Sequence, residues 1–385
     1  MLKKSLISLA FGSFAIGMTE FSMMGVLPDV AADLSIDIPT AGYFIALYAF
    51  GVVVGAPTLV MALAAYPPKK ALLFLMGLFV LFNGLFALVP GYHTLLIARF
   101  MSGLPHGAFF GVGSVVAASL ASRGKEAQAI SIMFTGMTIA NLLGVPLGTY
   151  IGHHYSWRYT YVFVTLCGIA TLAALYVWLP AIKSHLQGGV SQQFHYFKTK
   201  TAWLMMAMIS IGTGGLFAWI SYIAPLMTEV AKVQEDQVSF VMVVVGLGMV
   251  VGNLIGGKLA DTITPNKAVI LSFASMAVCL LVVYFTAHIN AFAYPMAFIT
   301  GMISFSNGSP LQMMLINSAK HAETLAAAGG QASFNLGNTL GAYLGGLPIV
   351  WGLGYHSPLL VGVLMATVGA LFALYILVMR KYGRL

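Results

Sequence analysis

One carboxylate, Glu20, lies in the stretch Gly17-Met-Thr-Glu20-Phe-Ser-Met-Met-Gly-Val-Leu-Pro-Asp29. The run around it, from Ser5 to Pro28, is otherwise almost wholly apolar or small. About 20 apolar residues suffice to cross a bilayer. A charged side chain in hydrocarbon costs on the order of 2.5–3.5 kcal/mol by insertion scales, so such residues face a cavity, a partner or a proton path. A second intramembrane charge stands in Arg99-Phe-Met-Ser-Gly103-Leu-Pro-His106, where Arg99, Gly103 and His106 recur at i, i+4 and i+7 on one helical face. A guanidinium keeps its proton and must be answered by a carboxylate, a carbonyl or water. A carboxylate can take up and release a proton. Glu20 falls about eight residues, or ~12 Å, from the outer end of its span, and Arg99 about five residues, or ~8 Å, from the outer end of its own. These depths are close enough for the two to pair, as a proton-coupling unit or as a fixed ion pair between helices. His106, about two turns deeper, is either a relay or substrate contact or a satisfied core histidine.

Other polar or special residues sit inside apolar runs. Trp219 with Tyr222 at i+3 is a core aromatic or the wall of a substrate cavity. Asn141, Gln312, Gln331, Asn335 and Asn338 each need a partner when buried, either another helix or a bound solute. Gly136, Gly144, Pro146 and Gly148 give a flat helix face with a kink point, suited to packing, to a hinge or to a leak-tight seam between bundles. Asp261, at an inner helix end, is a solvated charge or a latch. The 22 methionines fit adaptable packing. Cys167 and Cys279 have neither disulfide nor metal spacing. The chain carries no dinucleotide fingerprint, Walker A loop, zinc-helix motif or nucleophile elbow. An enzyme and a resident cofactor are therefore not expected, and uphill work would draw on an ion gradient or a partner ATPase.

The elements that hold these residues follow from composition. The 385 residues are 59% hydrophobic and 7% charged, against roughly 25% charged in soluble proteins, and the mean hydropathy is +0.92. The pattern predicts an all-α polytopic membrane protein. Apolar runs bounded by Pro, Gly and charge fall at about 5–28, 40–63, 71–89, 94–119, 127–152 and 157–180, then about 202–227, 238–260, 267–286, 292–316, 324–350 and 357–379. Of 18 Lys and Arg residues, about fifteen lie in segments expected inside, two (Arg158 and Lys232) in outer loops, and Arg99 within a span, which predicts both termini cytoplasmic. The net charge of +8 belongs to those short inner loops, so no nucleic-acid partner is expected. A shift of 197 residues lays Gly51-Val-Val-Val-Gly55 on Gly248-Met-Val-Val-Gly252, and Asn141-Leu-Leu-Gly144-Val-Pro-Leu-Gly148 on Asn338-Thr-Leu-Gly341-Ala-Tyr-Leu-Gly345. Parallel six-span halves with substrate between them near the midplane are a transporter architecture. The expected domains are a six-helix bundle over 1–183, a cytoplasmic linker over 184–201 and a second six-helix bundle over 202–385.

Twelve spans, a central loop and these motifs together resemble the major facilitator superfamily, whose fold is two six-helix bundles related by a pseudo-two-fold axis. Arg99 to Gly111 resembles the family's fourth-span motif, in which the Arg is implicated in proton coupling. Gly144-Val-Pro146-Leu-Gly148 is similar to the fifth-span antiporter motif of exporters. The Gly17 to Leu34 stretch and Ser156-Trp157-Arg158-Tyr159 resemble first- and sixth-span signatures of the twelve-span drug:proton antiporters. Ser102 to Gly113, Gly136 to Thr149, and Ala327-Ala-Gly-Gly-Gln331…Phe334-Asn335-Leu-Gly337 are similar to the arabinose-inducible sugar-efflux transporters. In the loop after the second span the family's Asp and Arg fall on Ala65 and Tyr66, so the usual first-half latch is absent, while Gly257, Leu259 and Asp261 keep the second-half copy. The resemblance implies a monomeric secondary transporter in a bacterial inner membrane, exporting a sugar or drug-like small molecule against protons, with Glu20, Arg99 and His106 in coupling. A proton-independent uniporter or importer, a non-transporting sensor and a membrane-embedded enzyme are the alternatives.

Overall fold

The computed structural model describes residues 2–182, 196–234, 237–319 and 321–382. Most of the linker expected at 184–201, and the charged residues Glu235, Asp236, Lys320 and Arg384, lie outside the described residues. The elements are helices: α1 (Leu2–Asp33), α2 (Tyr43–Leu63), α3 (Pro68–Leu88), α4 (Tyr92–Leu120), α5 (Glu126–His154), α6 (Trp157–Trp178), α7 (Lys200–Ile220), α8 (Val238–Ile263), α9 (Pro265–Thr286), α10 (Ala293–Phe305), α11 (Gly308–Ser318), α12 (Glu323–Val350) and α13 (Pro358–Lys381). Ten of them are long and apolar enough to cross a membrane among the described residues. The tenth expected span is split at Ser306–Asn307 into α10 and α11. The eleventh, α12, has the length but carries Gln331, Asn335, Asn338 and many glycines, which hold its hydropathy down. Beyond α7, the span expected to run to residue 227 breaks at Ser221–Tyr222 and resumes as a short turn and a π-helical segment, Leu226–Val230.

The helices form two compact units. One comprises Met1–Phe194 with Ala319–Ala332, the other His195–Ser318 with Ser333–Leu385. The division places the first third of α12 in the first unit, where the sequence predicts a boundary inside the linker alone.

The repeat appears in the helix starts and in the packing. Pro68 and Pro265, 197 apart, each take the first turn of a helix, where a missing N–H is harmless. Glu126 and Glu323, also 197 apart, each accept from a backbone N–H two residues earlier, Gly124 and His321. In the first unit Gly17 meets Ala140 and Met137, and in the second Gly214 lies against Gly337. Gly51 approaches Phe100 O as Gly248 approaches Phe298 O, and Gly55 approaches Leu104 as Gly252 approaches Met302. The offset is thus 197 on α1, α2 and α5, and 198 where α10 repeats α4.

The α1–α5 seam is the tightest part of the first unit. A methyl group at Gly136 would run into Ala10 O, one at Gly144 into Met18, and one at Gly148 would stand 2.9 Å from Ser22 Oγ. Positions four apart on each helix mesh along the whole contact, as close helix packing requires. Pro146 cannot donate to the carbonyl four residues back. The turn before it widens into a π-helical segment, Ala140–Gly144, in which Val145 N–H donates to Ala140 O. The seam that the sequence leaves open as an inter-bundle contact therefore has its closest approaches to α1, and at Gly148 to Thr160 of α6, inside one unit.

Candidate functional site

A group of buried polar residues in the first unit converges between α1, α2, α3, α4 and α6. Arg99 is fully enclosed. Its Nη1 donates to Thr19 Oγ1 at 3.1 Å, its Nη2 to Thr19 O at 3.2 Å, and its Nε to Phe44 O at 3.3 Å. The guanidinium carbon lies 4.4 Å from the Tyr48 ring centre, 5.4 Å from Phe86 and 5.5 Å from Tyr161. Aromatic faces stabilise a desolvated cation through the ring quadrupole. The fork geometry of Arg suits three divergent acceptors.

Glu20 is buried beside this centre, and Arg99 is near enough for its charge to act on it. No carboxylate lies within 4 Å of Arg99 among the described residues. Glu20 Oε2 is buried without a hydrogen-bond partner. The depth match expected from the sequence holds, since Arg99 meets the residue next to Glu20, but the guanidinium bonds Thr19 and not the carboxylate. Successive residues of a helix point about 100° apart. The side of α1 that bonds Arg99 and Asn83 is that of Thr19.

Thr19 also donates to Asn83 Oδ1, and Asn83 Nδ2 donates to Phe79 O at 2.9 Å within α3. On the other side, Tyr48 Oη hydrogen-bonds His106 Nδ1 at 3.1 Å, while His106 Nε2 and Tyr161 Oη are buried without partners. His106 therefore joins the centre through Tyr48, seven residues along the helix from Arg99. Four members of the centre, Thr19, Tyr48, Asn83 and Tyr161, are not singled out by the sequence reading. Asn83 alone had a signal, an amide in an otherwise apolar run. The others are residue types common in any packed helix.

The remaining candidates fall elsewhere. In the first unit, Asn141 is half-buried and donates to Met137 O of its own helix, and Gln331 is buried. Gly136, Gly144 and Gly148 lie in the α1–α5 seam, with Pro146 exposed. In the second unit, Trp219 is fully buried, and Tyr222 donates through its hydroxyl to Ala342 O of α12 at 2.7 Å. Gln312 and Asn335 are buried, and Asn338 and Asp261 are half-buried. Lys69, in the first turn of α3 next to the loop that lacks the family's Asp and Arg, donates to Tyr176 O at 2.8 Å and to Leu179 O, capping α6.

Among the described residues, ten helices long and apolar enough to cross a membrane, with an ionisable centre buried inside one unit, make a multi-pass membrane protein in class. The sequence profile of the Major Facilitator Superfamily matches residues 9–331, and the chain belongs to that family. It is 42% identical over 355 residues to AraJ of Escherichia coli (strain K12), named as a transporter, covering 92% of this chain and 90% of that protein. It is 36% identical to the inner membrane transport protein YdhP of the same strain, over 94% of this chain and 92% of that one. A Streptomyces lividans chloramphenicol resistance protein is 28% identical over 95% of this chain and 94% of that one. Among solved structures, the proton:xylose symporter XylE, bound to 6-bromo-6-deoxy-D-glucose, superposes with a TM-score of 0.76 at 14% identity, covering 99% of this chain and 95% of XylE. That match supports the all-α major facilitator fold.

Proposed function

We propose that the protein is a proton-coupled exporter of small solutes working by alternating access, as a monomer in a bacterial inner membrane with both termini cytoplasmic. The observation that carries the reading is Glu20: a buried carboxylate with one oxygen free of hydrogen bonds, near a guanidinium that is held by other groups. A carboxylate locked in an ion pair resists protonation, whereas one that is only electrostatically coupled can change state as the cation moves. Glu20 takes a proton from the outer side and releases it inside, in exchange for solute. Arg99 is the charge that Glu20 senses, and His106 communicates with it through Tyr48. The polar residues Asn141, Gln312, Gln331, Asn335 and Asn338, with Trp219 and Tyr222, supply solute contacts, and the α1–α5 seam with Pro146 and Asp261 serves the conformational change. So few buried charges suit a neutral or monocationic solute. The relative named for chloramphenicol resistance agrees with such a range.

The test is proton movement in proteoliposomes loaded with a pH dye, with sugars and lipophilic cations added in turn across an imposed pH gradient. Solute-dependent proton flux that disappears in Glu20→Gln, with solute binding retained, is the expected result. Uphill export by that variant at the normal rate would refute the mechanism. Equilibration of labelled solute without proton movement would make the protein a uniporter.

A further inference from the structure

We propose that Thr19 and Asn83 form a holding site for Arg99, and that transfer of Arg99 between this site and Glu20 sets when Glu20 can take up its proton. The proposal rests on the reading of Glu20 as the proton carrier and assigns the positioning residues of that centre.

The hydrogen bonds have a fixed polarity. Asn83 Nδ2 is committed to Phe79 O, which turns its Oδ1 toward α1. A threonine hydroxyl has one proton and two lone pairs. The Thr19 proton goes to Asn83 Oδ1, so a lone pair faces Arg99 Nη1 at 3.1 Å. Asn83 thus makes Thr19 an acceptor. The neighbouring carbonyl, Thr19 O, takes Nη2, and the two bonds grip the guanidinium fork from one residue of α1. The next residue on the same helix is Glu20, whose Oε2 has no partner. The holding site and the carboxylate are thus adjacent on α1, about 100° apart around its axis, so a swing of the long Arg99 side chain between neighbouring residues exchanges one for the other.

The ionisable groups around this pair are few. α2 contributes Tyr48, α4 contributes His106, and α6 contributes Tyr161. α3 brings only the neutral Asn83. The titratable residues of α5 (Glu126, Tyr150, His153 and His154) lie in its end turns. The charge that Glu20 meets at its own depth is therefore Arg99.

A buried guanidinium deprived of an acceptor seeks another. In Thr19→Val the shape is kept and the hydroxyl lost, so Arg99 Nη1 turns to Glu20. A carboxylate beside an Arg is protonated at a pH about one to three units lower. The outer pH giving half-maximal proton-driven flux should then fall by about one unit or more. Asn83→Leu should shift it the same way, by less, because Thr19 stays and only its polarity is released. Thr19→Ser, which keeps the hydroxyl, should keep the wild-type profile.

The experiment measures flux against outer pH in proteoliposomes for these three variants, for Glu20→Gln and for the wild type, using the solute found active in the dye assay. A downward shift in Thr19→Val, restored in Thr19→Ser, supports the proposal. If Thr19→Val does not fold, the same shift in Asn83→Leu supports it. A wild-type profile in the folded Thr19→Val and Asn83→Leu proteins, with coupling lost in Glu20→Gln, overturns the holding site and leaves the coupling reading intact. Retained coupling in Glu20→Gln overturns the coupling reading, and the holding site with it.

Discussion

Replacing Gly136 by alanine adds one methyl group to the tightest stretch of the α1–α5 seam, and its effect can be worked from the packing. The new Cβ would run into Ala10 O and stand 2.8 Å from both Ala10 C and Phe14 N. Ordinary van der Waals contact begins at 3.4 Å, so the carbon and nitrogen alone demand 3.4 − 2.8 = 0.6 Å of separation, and the carbonyl oxygen demands more. All three atoms are backbone, so no side chain can swing aside and the two helices must move apart. That loosens the contacts of Gly144 with Met18 and of Gly148 with Ser22, which share the register. Overpacking costs about 1–3 kcal/mol, and a rigid backbone neighbour puts Gly136→Ala at the upper end of that range. Gly77 in α3 is the control: a Cβ there meets nothing within 4 Å, and alanine improves helix stability by roughly 0.5–1 kcal/mol. Thermal unfolding in detergent, followed with a thiol-reactive dye, reads both, because Cys279 is buried and Cys167 half-buried in the fold. The expected order of unfolding temperature is Gly77→Ala at or above wild type, and Gly136→Ala clearly below. Equal temperatures for Gly136→Ala and wild type would refute the close-seam account.

Arg99→Lys keeps the charge but loses the fork that serves Thr19 Oγ1, Thr19 O and Phe44 O together; proton-driven flux should drop at least about tenfold, the scale of 1.4 kcal/mol, in a protein that still folds. Lys69→Met removes the donor that caps Tyr176 O and Leu179 O; the site is partly exposed, so the loss should be at most about 1 kcal/mol, seen as a small fall in unfolding temperature. Tyr196→Phe removes a hydrogen bond to Ser318 Oγ at 3.1 Å and should destabilise the fold near neutral pH. Burial pushes the Tyr196 hydroxyl above the ordinary phenol value, so the folded state holds that proton more tightly than the unfolded state does. Wild type therefore loses this stability as pH rises past about 10, and the gap between wild type and Tyr196→Phe should close there in a pH series of unfolding temperatures.

The helices were largely legible because their signal is strong and local. Long apolar runs punctuated by Pro and Gly brought most helix ends within a few residues of the spans read from the sequence, and the matched starts at Pro68 and Pro265 follow from the same 197-residue shift. The break at Ser306–Asn307 was not legible, because the residues around it are as apolar and small as those of an unbroken span. At the centre, Glu20, Arg99 and His106 stood out as charged or ionisable groups in hydrocarbon. Their connections did not, because which side of α1 faces Arg99 is a matter of packing: residue spacing gives depth along a helix but not its rotation against a neighbour. Thr19 is the clearest case, a neutral residue beside the carboxylate that takes two of the guanidinium's bonds. Of the polar residues of α11 and α12 read as buried, Gln312, Gln331 and Asn335 are buried and Asn338 is half-buried, and the sequence could not say that α12 divides between the two units.

Among the described residues, the duplicated frame buries its charged side chains in one half only. Shifted by 197, Thr19 and Glu20 correspond to Leu216 and Phe217, Tyr48 to Val245 and Asn83 to Leu280. With the offset of 198 on α10, Arg99 corresponds to Ala297 and His106 to Ser304. Glu20 is also the only buried carboxylate among the described residues. Under the proposed coupling, such a chain moves one proton through this centre per cycle. Exchange for a neutral solute would then carry one net charge across the membrane and respond to voltage by about 2.3 kcal/mol per 100 mV, whereas exchange for a monocation would be electrically silent. Whether a potassium diffusion potential alters the flux therefore reports the charge of the cargo.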